Sequence, residues 1–110
     1  MLKIAVGKTS PNDWVNYDGA TGGIRVDVNT STGKFNTTPN YHVTLHGPGG
    51  FHWRSTGANS ILNETPTGFT VYIGWADWSG HGPNNPYNPL SAAFAKEKGW
   101  FIKWTGIETE

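Results

Sequence analysis

The chain contains no cysteine, so it can form no disulfide and offers no thiolate for metal binding or nucleophilic catalysis. Charged residues are scarce as well, at 15% of the 110 residues, and the eight basic side chains balance the eight acidic ones. Because phosphate binding requires a basic surface, this balance argues against nucleic acid as a partner. No apolar run approaches the roughly 20 residues of a membrane-spanning helix, which argues against membrane insertion. The opening apolar stretch is too short for a signal peptide.

The length predicts one domain, residues 1–110. Hydrophobic residues amount to only 35% of the chain, but aromatic residues reach 14%, so each buried side chain can remove a large surface from water. Of the six tryptophans, three are expected in the core or at a subunit interface: Trp14, Trp100 and Trp104.

Short segments of alternating apolar and polar residues, separated by turn residues, predict strands. The clearest is residues 24–29, where Ile24, Val26 and Val28 share one face and Arg25 and Asp27 share the other. The same alternation turns three further groups inward: Tyr41, Val43 and Leu45; Phe69, Val71 and Ile73; and Trp100, Ile102 and Trp104. Six or seven such strands, at a spacing of roughly ten residues, predict an all-β fold, an antiparallel sandwich.

One window favours a helix, residues 89–98. Pro89 suits the start of a helix and Gly99 suits its end. Helical spacing places Leu90, Ala93, Phe94 and Glu97 on one face.

Two loops rich in aromatic residues interrupt the predicted strands: the first aromatic loop (residues 46–54) and the second aromatic loop (residues 75–88). They hold three of the six tryptophans and three of the four histidines. Flat apolar faces beside hydrogen-bonding groups suit a sugar ring, which has one C–H face and a rim of hydroxyls. The same loops can instead pack against the core or a neighbouring subunit.

The predicted glycan-binding residues divide into two chemical groups. Stacking faces are expected from Trp53, Trp78 and Tyr87, and hydrogen bonds to hydroxyls from His52, Arg54, Asp77 and His81. Asp77 is equally suited to cap its own turn, because aspartate often accepts backbone N–H groups.

Enzyme chemistry is the less favoured interpretation, and no catalytic residue, metal or other cofactor is predicted. Three histidines, His46, His52 and His81, would provide a zinc site, but their spacing is irregular. Asp27 with Glu108, or Glu64 with Asp77, would provide the paired carboxylates of a glycoside hydrolase, but no local pattern supports either pair.

Three segments resemble H-type lectin domains, in a bacterial or phage branch of that family. Residues 35–45 resemble the opening strand, residues 67–73 the central "GF-x-V" strand, and residues 102–107 the closing strand around a tryptophan. The resemblance spans roughly residues 24–108. It implies a six-stranded antiparallel sandwich, a homotrimer or a hexamer, and binding of galactose or N-acetylgalactosamine near the subunit junctions.

The sequence therefore predicts a lectin domain that binds glycans through its aromatic loops and gains avidity by oligomerising. The alternative is a structural trimerisation module or a receptor-binding tip of a phage tail fibre, without sugar specificity. Either role places the protein outside the cell, on a cell surface or on a virion.

Overall fold

The computed structural model describes residues 2–17, 23–50, 52–55, 59–74 and 90–109, and only the backbone of residues 53, 54 and 59. Seven strands and one helix are found there. The strands are β1 (Leu2–Lys8), β2 (Val15–Asn16), β3 (Gly23–Asn29), β4 (Asn40–His46), β5 (Asn59–Thr65), β6 (Gly68–Gly74) and β7 (Phe101–Thr109). The helix, α1, is Ala92–Glu97.

The strands form two antiparallel sheets, which confirms the predicted sandwich. One sheet has the order β1-β7-β4 and the other the order β2-β3-β6-β5. In the second sheet, Ile24, Val26 and Val28 lie opposite Ile73, Val71 and Phe69. All six side chains are buried, as the alternation predicts. Burial of each aliphatic side chain contributes about 1.5–3 kcal/mol relative to exposure.

The first sheet covers this core with larger side chains. Tyr41, Ile102 and Trp104 are buried, and Val43 and Leu45 are half-buried against them. Trp14 and Trp100 are almost fully buried too, so the three tryptophans assigned to the core or an interface belong to the core. The indole Nε1 of Trp14 donates a hydrogen bond to the carbonyl of Trp100 at 2.8 Å.

The helix is shorter than predicted. Ser91 is its N-cap and its hydroxyl accepts the Phe94 N–H, so the helix begins at Ala92 rather than near residue 89. Leu90, Ala92 and Ala95 are buried, Phe94 is half-buried against the core, and Ala93 is exposed. The Ala92 N–H also donates to Asn16 Oδ1 at 2.7 Å, which orients this face toward β2.

The helix ends as the sequence predicts, at a left-handed glycine. Gly99 has φ of 71° and its N–H donates to Lys96, while the Trp100 N–H donates to Ala95. These two bonds form a Schellman motif, which delivers Trp100 directly into the core. Phe94 packs edge-on against Trp100, with ring centroids 5.7 Å apart, and completes the apolar contact typical of that motif.

Candidate functional site

The predicted ligand residues fall mostly outside the described part of the chain. Residues 75–89 lie outside that part, and they include Asp77, Trp78, His81 and Tyr87. The other three, His52, Trp53 and Arg54, lie in a 3₁₀ turn, His52–Ser55, at the end of the first aromatic loop. Of these three side chains, only that of His52 is described, so the proposed set stays a prediction.

The first aromatic loop is attached to the core through its glycines. The Trp100 indole Nε1 donates to the Gly50 carbonyl at 2.9 Å, and the Gly49 N–H donates to the Lys98 carbonyl at 2.9 Å. A Cβ on Gly47 would lie 2.5 Å from Cδ1 of Trp100, and one on Gly49 would lie 2.7 Å from the Lys98 backbone. Both glycines are therefore required for the close approach of this loop to the end of α1.

His52 is turned toward the core rather than fully into solvent. Its ring lies edge-on to Trp100, with centroids 6.4 Å apart, and its Nδ1 is buried without a hydrogen-bond partner among the described residues. The His52 carbonyl accepts the hydroxyl of Ser55, which is itself buried. His52 therefore fixes the position of the turn that carries Trp53 and Arg54.

A shallow cavity lies beside this loop, on the outer surface of the first sheet. Its volume is about 530 Å³, and it lies between the end of β1, the start of β7 and the first aromatic loop. Apolar surface dominates its lining. The lining includes Phe101, Pro11 and Pro48 as apolar walls and Lys8, Thr9 and Ser10 as polar groups.

Among the described residues that line this cavity, Phe101 is the one with an aromatic side chain. His46 lies opposite it in the β4–β7 register, and the two rings stack with centroids 5.5 Å apart and an interplanar angle of 15°. On the neighbouring strand β1, the Lys8 Nζ lies 5.8 Å from the centroid of the Phe101 ring. Thr44 Oγ1 and His46 Nε2 share a hydrogen bond at 2.9 Å, which holds the imidazole in this stack.

The hydroxyls of the cavity are positioned by the backbone. Thr9 Oγ1 accepts the Ile102 N–H at 2.9 Å, and Ser10 Oγ accepts the Asn12 N–H at 3.2 Å. Each hydroxyl keeps its own hydrogen for donation. The sequence does not predict this cavity, because Lys8, Pro48 and Phe101 are far apart in the chain and no local pattern connects them.

The carboxylate of Glu108 is buried and is held by hydrogen bonds within the protein, which indicates a structural role. Its Oε2 accepts the N–H of Asn36 at 2.9 Å, the N–H of Thr37 at 2.6 Å and the Thr37 hydroxyl at 2.8 Å, and Lys3 Nζ lies 3.9 Å from Oε1. The Thr37 N–H, followed by the Thr37 hydroxyl, lowers the pKa of Glu108 below its ordinary value, against the opposing effect of burial.

Asp27 and Glu108 do not form the carboxylate pair considered for hydrolysis. Asp27 is exposed on the outer face of the second sheet, where its Oδ1 accepts the Thr70 hydroxyl at 2.8 Å. Glu108 faces inward from the first sheet. The other pair, Glu64 with Asp77, includes a residue outside the described part.

Within the described residues, no group of three or more histidines, aspartates and glutamates is placed to hold a metal ion. His46 and His52 are among those residues and His81 is not. No helix in the described ranges is long and apolar enough to cross a membrane.

Comparison with known proteins finds only distant structural similarity. No protein-family model matches the chain, and no curated protein matches its sequence, so membership of the H-type lectin family stays a prediction. Among solved structures, the tailspike protein gp49 of Pseudomonas phage LKA1 aligns with 96% of this chain at 11% identity and a TM-score of 0.46. The tailspike gp61 of Pseudomonas phage phi297 aligns with 99% at 10% identity and the same TM-score. This chain spans 15% of the length of each tailspike. Similarity at this level does not establish a shared function.

Proposed function

We propose that the protein is a carbohydrate-binding module that holds glycans at the end of the sandwich where the first aromatic loop meets the 530 Å³ cavity. The observation that carries the proposal is the composition of this cavity. Phe101 and Pro48 offer apolar surface for the C–H face of a sugar, and Lys8, Thr9 and Ser10 offer hydrogen-bond donors for its hydroxyls. Pro48 belongs to the first aromatic loop, which also holds His52, Trp53 and Arg54.

The second aromatic loop would complete the same binding surface. In this proposal Trp78 and Tyr87 stack on sugar rings, and Asp77 and His81 bond their hydroxyls. A single site is expected to bind in the millimolar to high micromolar range, because a sugar has few apolar atoms and its hydroxyls already bond water. Several sites on a homotrimer or hexamer would raise the avidity for a dense glycan surface. Galactose and N-acetylgalactosamine are the first ligands to test.

A glycan array followed by titration tests the proposal directly. We expect selective binding to a subset of glycans, and we expect Trp78→Ala and Asp77→Ala each to weaken it at least fivefold. Tyr17→Ala is the matched control, because Tyr17 is an exposed aromatic residue outside both loops and outside the cavity lining. Absence of binding to any glycan, or binding that survives both loop substitutions, would reject the aromatic loops as the site.

The alternative is a purely structural or receptor-binding module of a virion or cell surface. The observation that favours it is a row of exposed aliphatic side chains on β1, which suits protein–protein contact rather than sugar. Neither role involves catalysis. If the protein released reducing ends from any bound glycan, the binding-module proposal would be wrong and the protein would be a glycoside hydrolase.

A further inference from the structure

The strand β1 presents an apolar row to solvent. Leu2, Ile4 and Val6 are 59%, 57% and 69% exposed, and they share the outer face of the first sheet. Ile107 lies beside Ile4 in the register and extends the row onto β7. The outer face of the second sheet differs, since Arg25, Asp27 and other polar residues alternate with its few apolar ones.

The same strand also has a free edge. In the described part of the chain, β1 pairs only with β7, and no backbone hydrogen bond connects residues 2–8 with any other element. Seven residues without proline or a bulge leave a regular row of N–H and C=O groups on the open side. Such an edge accepts another strand.

The other strand edges are less suited to an apolar strand pairing. β5 has a register shift after Leu62, where Asn63 adopts a left-handed φ of 59°. β2 is only two residues long. The outer face of β4 is polar, with Asn40, His42 and Thr44. Among the described edges, β1 alone is long, regular and apolar.

We propose that β1 pairs antiparallel with β1 of a second copy of this chain, across a two-fold axis close to Ile4. Leu2 of one copy then lies opposite Val6 of the other, and Ile4 lies opposite its own counterpart. All the outer side chains of the paired stretch are aliphatic, and cross-strand pairs of this kind stabilise a sheet. The two first sheets join into one continuous six-stranded sheet.

The charges on β1 favour the antiparallel direction. Lys3 lies opposite Ala5 of the second copy, so no two lysines face each other. A parallel pairing in register would place each Lys3 beside the other Lys3, which is unfavourable. Lys3 meanwhile keeps its own partners, since its Nζ donates to the Lys34 carbonyl at 2.6 Å and lies 3.9 Å from Glu108.

The size of this surface predicts a reversible dimer. Three aliphatic side chains exposed by more than half present roughly 300 Å² of apolar area per copy, at the low end for the largest patch of a monomer. A stable interface buries about 1,200–2,000 Å² in total, which is more than the two apolar rows supply, so the contact belongs to the weak, reversible class. We therefore expect association that increases over the micromolar concentration range. This two-fold contact is independent of glycan binding and is compatible with the proposed hexamer, in which two-fold and three-fold contacts coexist.

A single engineered cysteine tests the geometry, because the natural chain has none. Directly opposite residues in an antiparallel pair have Cα atoms about 4.5–5.5 Å apart, within disulfide range. Under mild oxidation, Ile4→Cys should form a covalent dimer in high yield at micromolar concentration. Leu62→Cys is the control, since Leu62 is 48% exposed on an edge strand of the other sheet. Equal cross-linking of both variants, or none in Ile4→Cys, would overturn the proposal.

Sedimentation equilibrium of the full chain gives an independent test. We expect Ile4→Lys to weaken self-association at least tenfold, because two cations would meet at the axis, and Leu62→Lys to leave it unchanged. A natural chain that stays monomeric up to 200 μM, or an assembly indifferent to Ile4→Lys, would also reject the interface. Glycan binding is measured separately, because the Ile4→Lys variant should still bind glycan at the single-site affinity.

Discussion

Trp100 donates a hydrogen bond from its indole Nε1 to the carbonyl of Gly50, at 2.9 Å. The donor belongs to a fully buried side chain of the core, and the acceptor lies in the first aromatic loop. The position of that loop is therefore coupled to the packing of the sandwich rather than set by the loop alone. A loop held in this way would lose little conformational entropy on binding a ligand.

Replacement of Trp100 by phenylalanine should separate loop position from overall folding. Trp100→Phe removes the donor and leaves a small cavity, which we expect to lower the free energy of unfolding by about 1–3 kcal/mol. Urea denaturation measures that loss. Amide exchange at Gly49 and Gly50 should increase more than exchange in β3 and β6. An equal increase throughout the chain would contradict a specific role in holding the loop.

Tyr41 connects the two sheets through its hydroxyl. The hydroxyl donates to the Thr65 carbonyl at 2.7 Å, so the 2.6 Å contact with Thr30 Oγ1 must have threonine as the donor. Tyr41→Phe leaves both partners unsatisfied in a mostly buried position, and we expect a loss of about 1–3 kcal/mol. Tyr72→Phe is the matched control, because the half-buried Tyr72 ring keeps its edge-on contact with Tyr17. A loss of equal size in both variants, by urea denaturation, would refute the connecting role.

Local alternation of residue types predicted the core, and it did so for a physical reason. A strand turns successive side chains to opposite faces, so the inward positions of β3 and β6 follow from the order of residues alone. The outer row of β1 was not predicted from the same rule. The inward position Gly7 must be small, because a Cβ there would lie 2.7 Å from Nε1 of Trp104. The larger side chains therefore face solvent, and only the tertiary structure shows this.

The buried face of α1 and the cavity are two further features that local residue patterns do not predict. The buried face of α1 depends on its N-cap at Ser91 and on the bond from Ala92 to Asn16, two partners from separate parts of the chain. The cavity joins Lys8, Pro48 and Phe101 from three separate segments. Residue types in the aromatic loops indicated sugar binding, but composition alone does not give the relative positions of the side chains.

The stability of the protein should depend on pH through Glu108. Its pKa is lowered from an ordinary value of 4.5, chiefly by the Thr37 N–H, so the unfolded chain takes up the proton first as the pH falls. The stabilisation is therefore complete above about pH 5 and is lost as the pH drops through the folded pKa. Glu108→Gln should be less stable than the natural chain at pH 7, and its stability should decline less steeply as the pH falls below 4.5. Glu64→Gln, at an exposed position, should change neither. If the loss of stability at low pH is unchanged in Glu108→Gln, other groups cause that loss.

Phe101 should determine glycan affinity through the shape of its ring, if the cavity is the binding site. Phe101→Leu keeps apolar volume but removes the flat face, so we expect about a tenfold loss of affinity, equivalent to about 1.4 kcal/mol, with little change in stability. Lys8→Gln should cost less for neutral glycans, because it removes a charge-assisted donor and leaves the apolar wall. Its control is Lys96→Gln, which makes the same charge change on the exposed side of α1. Titration followed by amide chemical shifts would locate the ligand as well as measure affinity, with the largest shifts expected at Thr9, Ser10 and Phe101. Glycan binding with shifts confined to β2 and β5 would place the site on the opposite sheet and exclude this cavity.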